Sequence, residues 1–172
     1  MVDGSGDPNT SQEYADAVTT LYPLAYALRA EVKRVTDDAY VVMPLEGLWW
    51  TENMRDFDVR DKSNWQWIAM ICLPDAVTSE MADDIVPAVT ASKHLLAGHK
   101  ARVEVFAEGR SAQILHIGPY SDEGPTIAAL HEFIAKQGGV LSGRHHETYL
   151  SDPTKSDPAK LRTIIRQPFD AA

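Results

Sequence analysis

The sequence predicts an α+β fold built from two halves of similar element content, residues 1–98 and 99–172, within one domain spanning 1–172. Three observations carry this. A long amphipathic helix follows a short strand-like run at the start. Two β-rich runs follow that helix. The order strand, helix, strand, strand then returns in the second half.

Taken in order, MVDGSGDPN reads as the end of a strand and its exit turn. SQEYADAVTTLYPLAYALRAEVKR is a helix whose Tyr14, Val18, Leu21, Ala25, Leu28 and Val32 form one stripe, capped by Thr10 or Ser11 and kinked or interrupted at Pro23. AYVVMPLEGLWW and NWQWIAMICLP are strands joined by the polar connection TENMRDFDVRDKSN. Thr78 or Ser79 caps a shorter helix, SEMADDIVPAVTASKHLL, whose continuity Pro87 puts in question. RVEVFAEGRSAQILHIGPY reads as a hairpin turning at Glu108-Gly109-Arg110. SDEGPTIAALHEFIAKQGG is a helix capped by Asp122 and closed by Gly138. HETYLSD and LRTIIRQPF are the last strands.

The composition excludes several function classes. A net charge of −9 with dispersed basic residues argues against nucleic-acid binding. No apolar run reaches membrane-span length, and the N-terminal run carries no signal-peptide pattern. The single cysteine, Cys72, excludes an internal disulfide, suits a reducing cytoplasmic setting and reads as a buried structural thiol in IAMICLP. Nucleotide-loop and serine-hydrolase motifs are missing.

The stretch GRHHETYLSDP holds the chemistry of interest. Adjacent His145 and His146 point to opposite faces of a strand and cannot share an ion without a bend, so no metal is expected. Glu147 and Tyr149 share one face; Leu150, on the other, is expected under the helices, leaving the Glu147 face to solvent or a cavity. Trp49, Trp50, Trp65 and Trp67 crowd two neighbouring strands, serving core packing or a pocket wall. An aromatic wall around Glu147 would exclude water and raise its pKa. Glu46 is either a second carboxylate of such a site or a solvated strand residue, and His116 is either a satisfied strand histidine or a pocket residue. Tyr120, at a strand end, and Tyr22 and Tyr26, beside the Pro23 kink, complete the candidates.

MVDGSGDPN, YVVMPLEGLWW, LHIGPYSDEGPTIAALHEFI, GRHHETYLSDP and LRTIIRQP together resemble the GyrI-like small-molecule-binding family, in its stand-alone branch, from residue 1 to about 169. The resemblance implies two pseudo-twofold-related strand–helix–strand–strand (SHS2-type) modules around a central ligand cleft. It implies a cleft glutamate matching Glu147, engaging flat apolar or cationic aromatic molecules, and no cofactor. Some stand-alone members hydrolyse the cyclopropane of genotoxic cyclopropanoids; that role implies Glu147 orienting or deprotonating water and Tyr149 assisting it. The alternative is a non-catalytic xenobiotic-binding or effector-sensing protein. The family pattern also implies about a strand's worth of residues ahead of the DGSGDPN run; without them a sheet edge is open in a monomer or covered in a homodimer.

Overall fold

A computed structural model describes residues 1–52 and 61–171. Most of the predicted polar connection, residues 53–60, lies outside the described residues. The elements run β1 (Val2–Ser5), α1 (Gln12–Thr36), β2 (Leu45–Trp50), β3 (Gln66–Ile71), α2 (Ser79–Lys93), β4 (Ser111–Ile117), α3 (Gly124–Lys136), β5 (Gly139–Leu141), β6 (His145–Tyr149) and β7 (Arg162–Ala171).

Six strands form one antiparallel sheet in the order β1-β3-β2-β6-β7-β4, and β5 pairs with the far end of β7. That order is symmetric about the β2–β6 seam. Outer strands β1 and β4 each lead into a helix, β3 and β7 are the middle strands, and β2 and β6 meet at the centre. This is the pseudo-twofold α+β architecture expected from the sequence.

Ser11 caps α1 by accepting a hydrogen bond from the Tyr14 amide at 3.3 Å. The helix passes Pro23 without interruption, as α2 passes Pro87. Leu21, Ala25, Leu28 and Val32 are buried as the spacing predicts, while Tyr14 and Val18 are only half-buried. The main core joins Ala17, Leu21 and Ala25 of α1 to Trp49, Trp67, Ala69 and Ile71 of the sheet. A second core packs Leu130 and Ile134 of α3 on Ile165 and Phe169 of β7. Both helices therefore cover the same sheet face.

Some expectations differ from the structure. Residues 101–109 form no strand, because their polar ends are held elsewhere. The Arg102 carbonyl accepts from the Met1 amine, its guanidinium forks onto Asp3, and Glu108 is drawn to His146 and Arg166. Residues 39–44 likewise stand outside β2. Cys72 lies just past the end of β3 and is exposed, not buried. Asp122 closes a 3-10 turn over Tyr120–Asp122, and Glu123 occupies the cap position of α3 without a side-chain capping bond. Leu150 falls one residue beyond β6 and is 36% exposed. Glu147 and Tyr149 accordingly lie on the helix-covered face, the reverse of the expected side.

Two indoles are accommodated by glycines. A Cβ on Gly47 would lie 2.7 Å from the Trp49 Nε1, and a Cβ on Gly4 would lie 2.2 Å from the Trp67 ring. Neither gap is compressible. Gly47→Ala should therefore cost about 1–3 kcal/mol by displacing the Trp49 indole, lowering the melting temperature by roughly 2–12 °C. An unchanged thermal denaturation midpoint would contradict this packing.

Candidate small-molecule site

A cavity of about 830 Å³ opens on the helix-covered face. Tyr14, Val18, Tyr22 and Tyr26 line it from α1, and Tyr120 and Glu123 from the turn entering α3. Its floor is Trp49 of β2 with Glu147 and Tyr149 of β6, and Trp65 and Lys62 close one side. The register explains the floor. Gly47 sits opposite Glu147 and Trp49 opposite His145, so alternation turns all four toward the helices.

Glu147 is 8% exposed and both of its oxygens hold donors. His145 Nε2 donates to Oε1 at 2.9 Å, and the Tyr149 hydroxyl donates to Oε2 at 2.7 Å. The Tyr149 oxygen in turn accepts from Trp49 Nε1 at 3.1 Å. Two donors leave lone pairs of the carboxylate free for a ligand. Burial alone would push the Glu147 carboxyl up, but the hydrogen bonds and charge contributed by His145, with Tyr149 and Lys62, outweigh it and hold the pKa below the usual value. The aromatic wall thus does not raise this pKa as the sequence suggested. His145, which looked incidental in the sequence, is the residue that keeps Glu147 ionised.

Glu123 carries the raised pKa instead. It is 5% exposed, and its Oε1 is buried without a partner. Burial, then the Glu147 charge, push its carboxyl up to about 8. The tyrosines are also shifted away from ionisation. Burial pushes the Tyr14, Tyr120 and Tyr149 phenols up, Tyr120 to about 12, with the Glu147 charge adding to each.

The aromatic residues brace one another. Tyr14 meets the Trp67 ring edge-on at 5.0 Å, Trp49 and Trp65 lie 5.5 Å apart, and Tyr120 and Tyr149 meet at 5.6 Å. Lys62 stands over the Trp65 ring at 4.7 Å, a cation–π contact inside the cavity.

Of the sequence candidates, the structure gathers Glu147, Tyr149, Trp49, Trp65, Tyr22, Tyr26 and Tyr120 around this cavity. Four others stand elsewhere. Trp67 is fully buried in the core beneath Tyr14. Trp50 turns to the opposite sheet face and stacks under Arg144 at 3.9 Å. Glu46, on that same face, receives a 2.8 Å hydrogen bond from His146. His116 is buried between the Thr126 hydroxyl and the Pro119 carbonyl. Tyr14, Lys62, His145 and Glu123 were not singled out. For Glu123 the sequence held no signal: with Asp122 read as the cap, a glutamate in the first turn is what the helix dipole favours. Among the described residues, no group of three or more His, Cys, Asp or Glu is placed to hold a metal ion. No helix is long and apolar enough to cross a membrane.

An α+β domain with one aromatic, acid-floored cavity is a small-molecule-binding fold, and the comparisons specify which. Residues 1–168 match the GyrI-like small molecule binding domain, and the chain belongs to that family. An uncharacterized conserved protein from Listeria innocua is 36% identical in sequence, with a TM-score of 0.89 over 98% of this chain and 85% of that one. Two further structures, each described as that of a hydrolase from Listeria innocua, are 32% and 35% identical, with TM-scores of 0.83 and 0.85 over the same shares of each chain. No curated protein matches the chain.

Tyr149→Phe removes the donor to Glu147 and the acceptor of Trp49. Its expected effect is a rise in the Glu147 pKa, read by NMR titration of carboxyl-labelled glutamate. A Glu147 titration unmoved by the substitution would show that Tyr149 does not hold this carboxylate.

Proposed function

We propose that this protein binds flat apolar or cationic aromatic molecules in the cavity and hydrolyses strained electrophiles among them, in particular the cyclopropane of cyclopropanoid genotoxins. The observation that carries the reading is the Glu147 carboxyl, held by two donors at the floor of an aromatic cavity large enough for a drug-sized ligand. Membership in a small-molecule-binding family and the likeness to a protein described as a hydrolase support it.

The chemistry asks little of the protein. Trp49, Trp65 and the α1 tyrosines grip the flat molecule by stacking and keep bulk water out. Glu147 accepts a hydrogen bond from a single water and draws its proton as the oxygen attacks the ring methylene. Ring strain supplies much of the driving force, so a carboxylate of low pKa is a sufficient base when the water is positioned. Tyr149 and His145 act by holding Glu147 in place.

A second reading, binding without turnover, is favoured by two observations. The same two donors that position Glu147 also make it a weaker base, and the Lys62 contact with Trp65 supports a wall suited to cations. The experiment that separates the two is turnover of a cyclopropanoid alkylator followed by mass spectrometry. The hydrolase reading predicts many ring-opened molecules per protein, reduced roughly 10²–10⁴-fold in Glu147→Gln. Protection at one molecule per protein, with no ring-opened product, would contradict hydrolysis and leave sequestration.

A further inference from the structure

We propose that Glu123 is the proton donor of this site and forms with Glu147 a closed proton cycle for the ring opening. This rests on the hydrolytic reading above and names the second catalytic group.

Glu123 is at the cap position of α3 but makes no capping bond; its side chain lines the cavity instead. One of its oxygens, Oε1, is buried and unpartnered. An ionised carboxylate left so would carry a large desolvation penalty, whereas a neutral acid in the same place carries much less and has a proton to give. Around it stand Glu147 and Tyr149 from β6, Thr163 from β7, Lys62 ahead of β3 and Tyr120 from its own turn. The Glu147 charge acts directly on it, so the two carboxyls titrate as a pair. Burial and the Glu147 charge place the proton on Glu123, with a pKa of about 8, while His145 and Tyr149 keep Glu147 ionised. Two like groups are thereby driven to opposite roles, base and acid. The surrounding phenols are all pushed up and do not compete near pH 8.

The step balances within the pair. Water forms a new C–O bond at the ring methylene and gives a proton to Glu147. The cyclopropane C–C bond breaks, and its electron pair passes through the conjugated system to a carbonyl oxygen. That oxygen takes the proton of Glu123 and becomes a hydroxyl. Glu147 is now neutral and Glu123 ionised; transfer of the proton between them restores the starting state. The net reaction is addition of one water. A cyclopropane with no conjugated carbonyl has no oxygen to receive the proton and should not turn over.

The test compares pH profiles of kcat/KM for wild type, Glu123→Gln and Glu123→Asp on a carbonyl-conjugated cyclopropane. The folded protein is also titrated by infrared spectroscopy, following the carbonyl stretch of a neutral carboxylic acid. In wild type, activity and the acid band should fall together as pH rises through about 8. Glu123→Gln should lose the band and roughly 100-fold or more of the rate below that pH, and its alkaline limb should vanish. Glu123→Asp, which keeps an acid, should retain the limb at a reduced rate and serves if the glutamine variant does not fold. Glu147→Gln should keep the acid band but shift its loss to lower pH, since the charge that raises Glu123 is gone. Wild-type activity flat through pH 8, or a Glu123→Gln variant with unchanged rate and profile, would overturn the proposal. Absence of turnover in wild type would instead remove the hydrolytic reading itself, and the donor role with it.

Discussion

Everything in the site depends on the backbone ladder between β2 and β6, where the two halves of the chain meet. Gly47 and Glu147 are opposite one another in that ladder. Because Gly47 has no side chain, the Trp49 indole can lie over it and reach the Tyr149 hydroxyl. Tyr149 is then oriented toward Glu147 from the side, while His145 reaches it from two residues earlier on the same strand. A carboxylate buried this deeply is tolerated only when its charge is satisfied. The seam supplies that satisfaction from residues that alternation turns to one face.

The adjacent histidines show how finely the strand divides its roles. His145, buried on the helix-covered face, holds Glu147. His146, on the opposite face, donates from both ring nitrogens, at 2.9 Å to Glu108 and 2.8 Å to Glu46. Burial would lower the His146 pKa, yet these two carboxylates raise it, and Arg166 joins through Glu108. One dipeptide thus links the cavity floor to a charge network on the other side of the sheet, and neither histidine is spare.

The sequence made the strand alternation legible, and with it the partnership of Glu147 and Tyr149, because period-two patterning survives any tertiary context. The long helix was legible through Leu21, Ala25, Leu28 and Val32. The covered face was misread because Leu150 was counted into a strand that ends at Tyr149. The role of each tryptophan was not legible either: Trp49 and Trp50 differ by one residue, and only the register decides which reaches the cavity. Glu123 was hidden for another reason. Its burial arises where the α3 turn meets β6 and β7, elements far away in sequence, and no local pattern records that meeting.

The site as built requires Glu147, at the floor of the aromatic cavity, to meet the ligand. The decisive measurement is a crystal structure of the protein with a planar aromatic ligand or ring-opened product. The account predicts the flat body stacked among Trp49, Trp65 and the α1 tyrosines, with a polar atom or bridging water on Glu147, and the His145 and Tyr149 bonds intact. A ligand seated on the opposite sheet face, or in the cavity with Glu147 untouched, would contradict it.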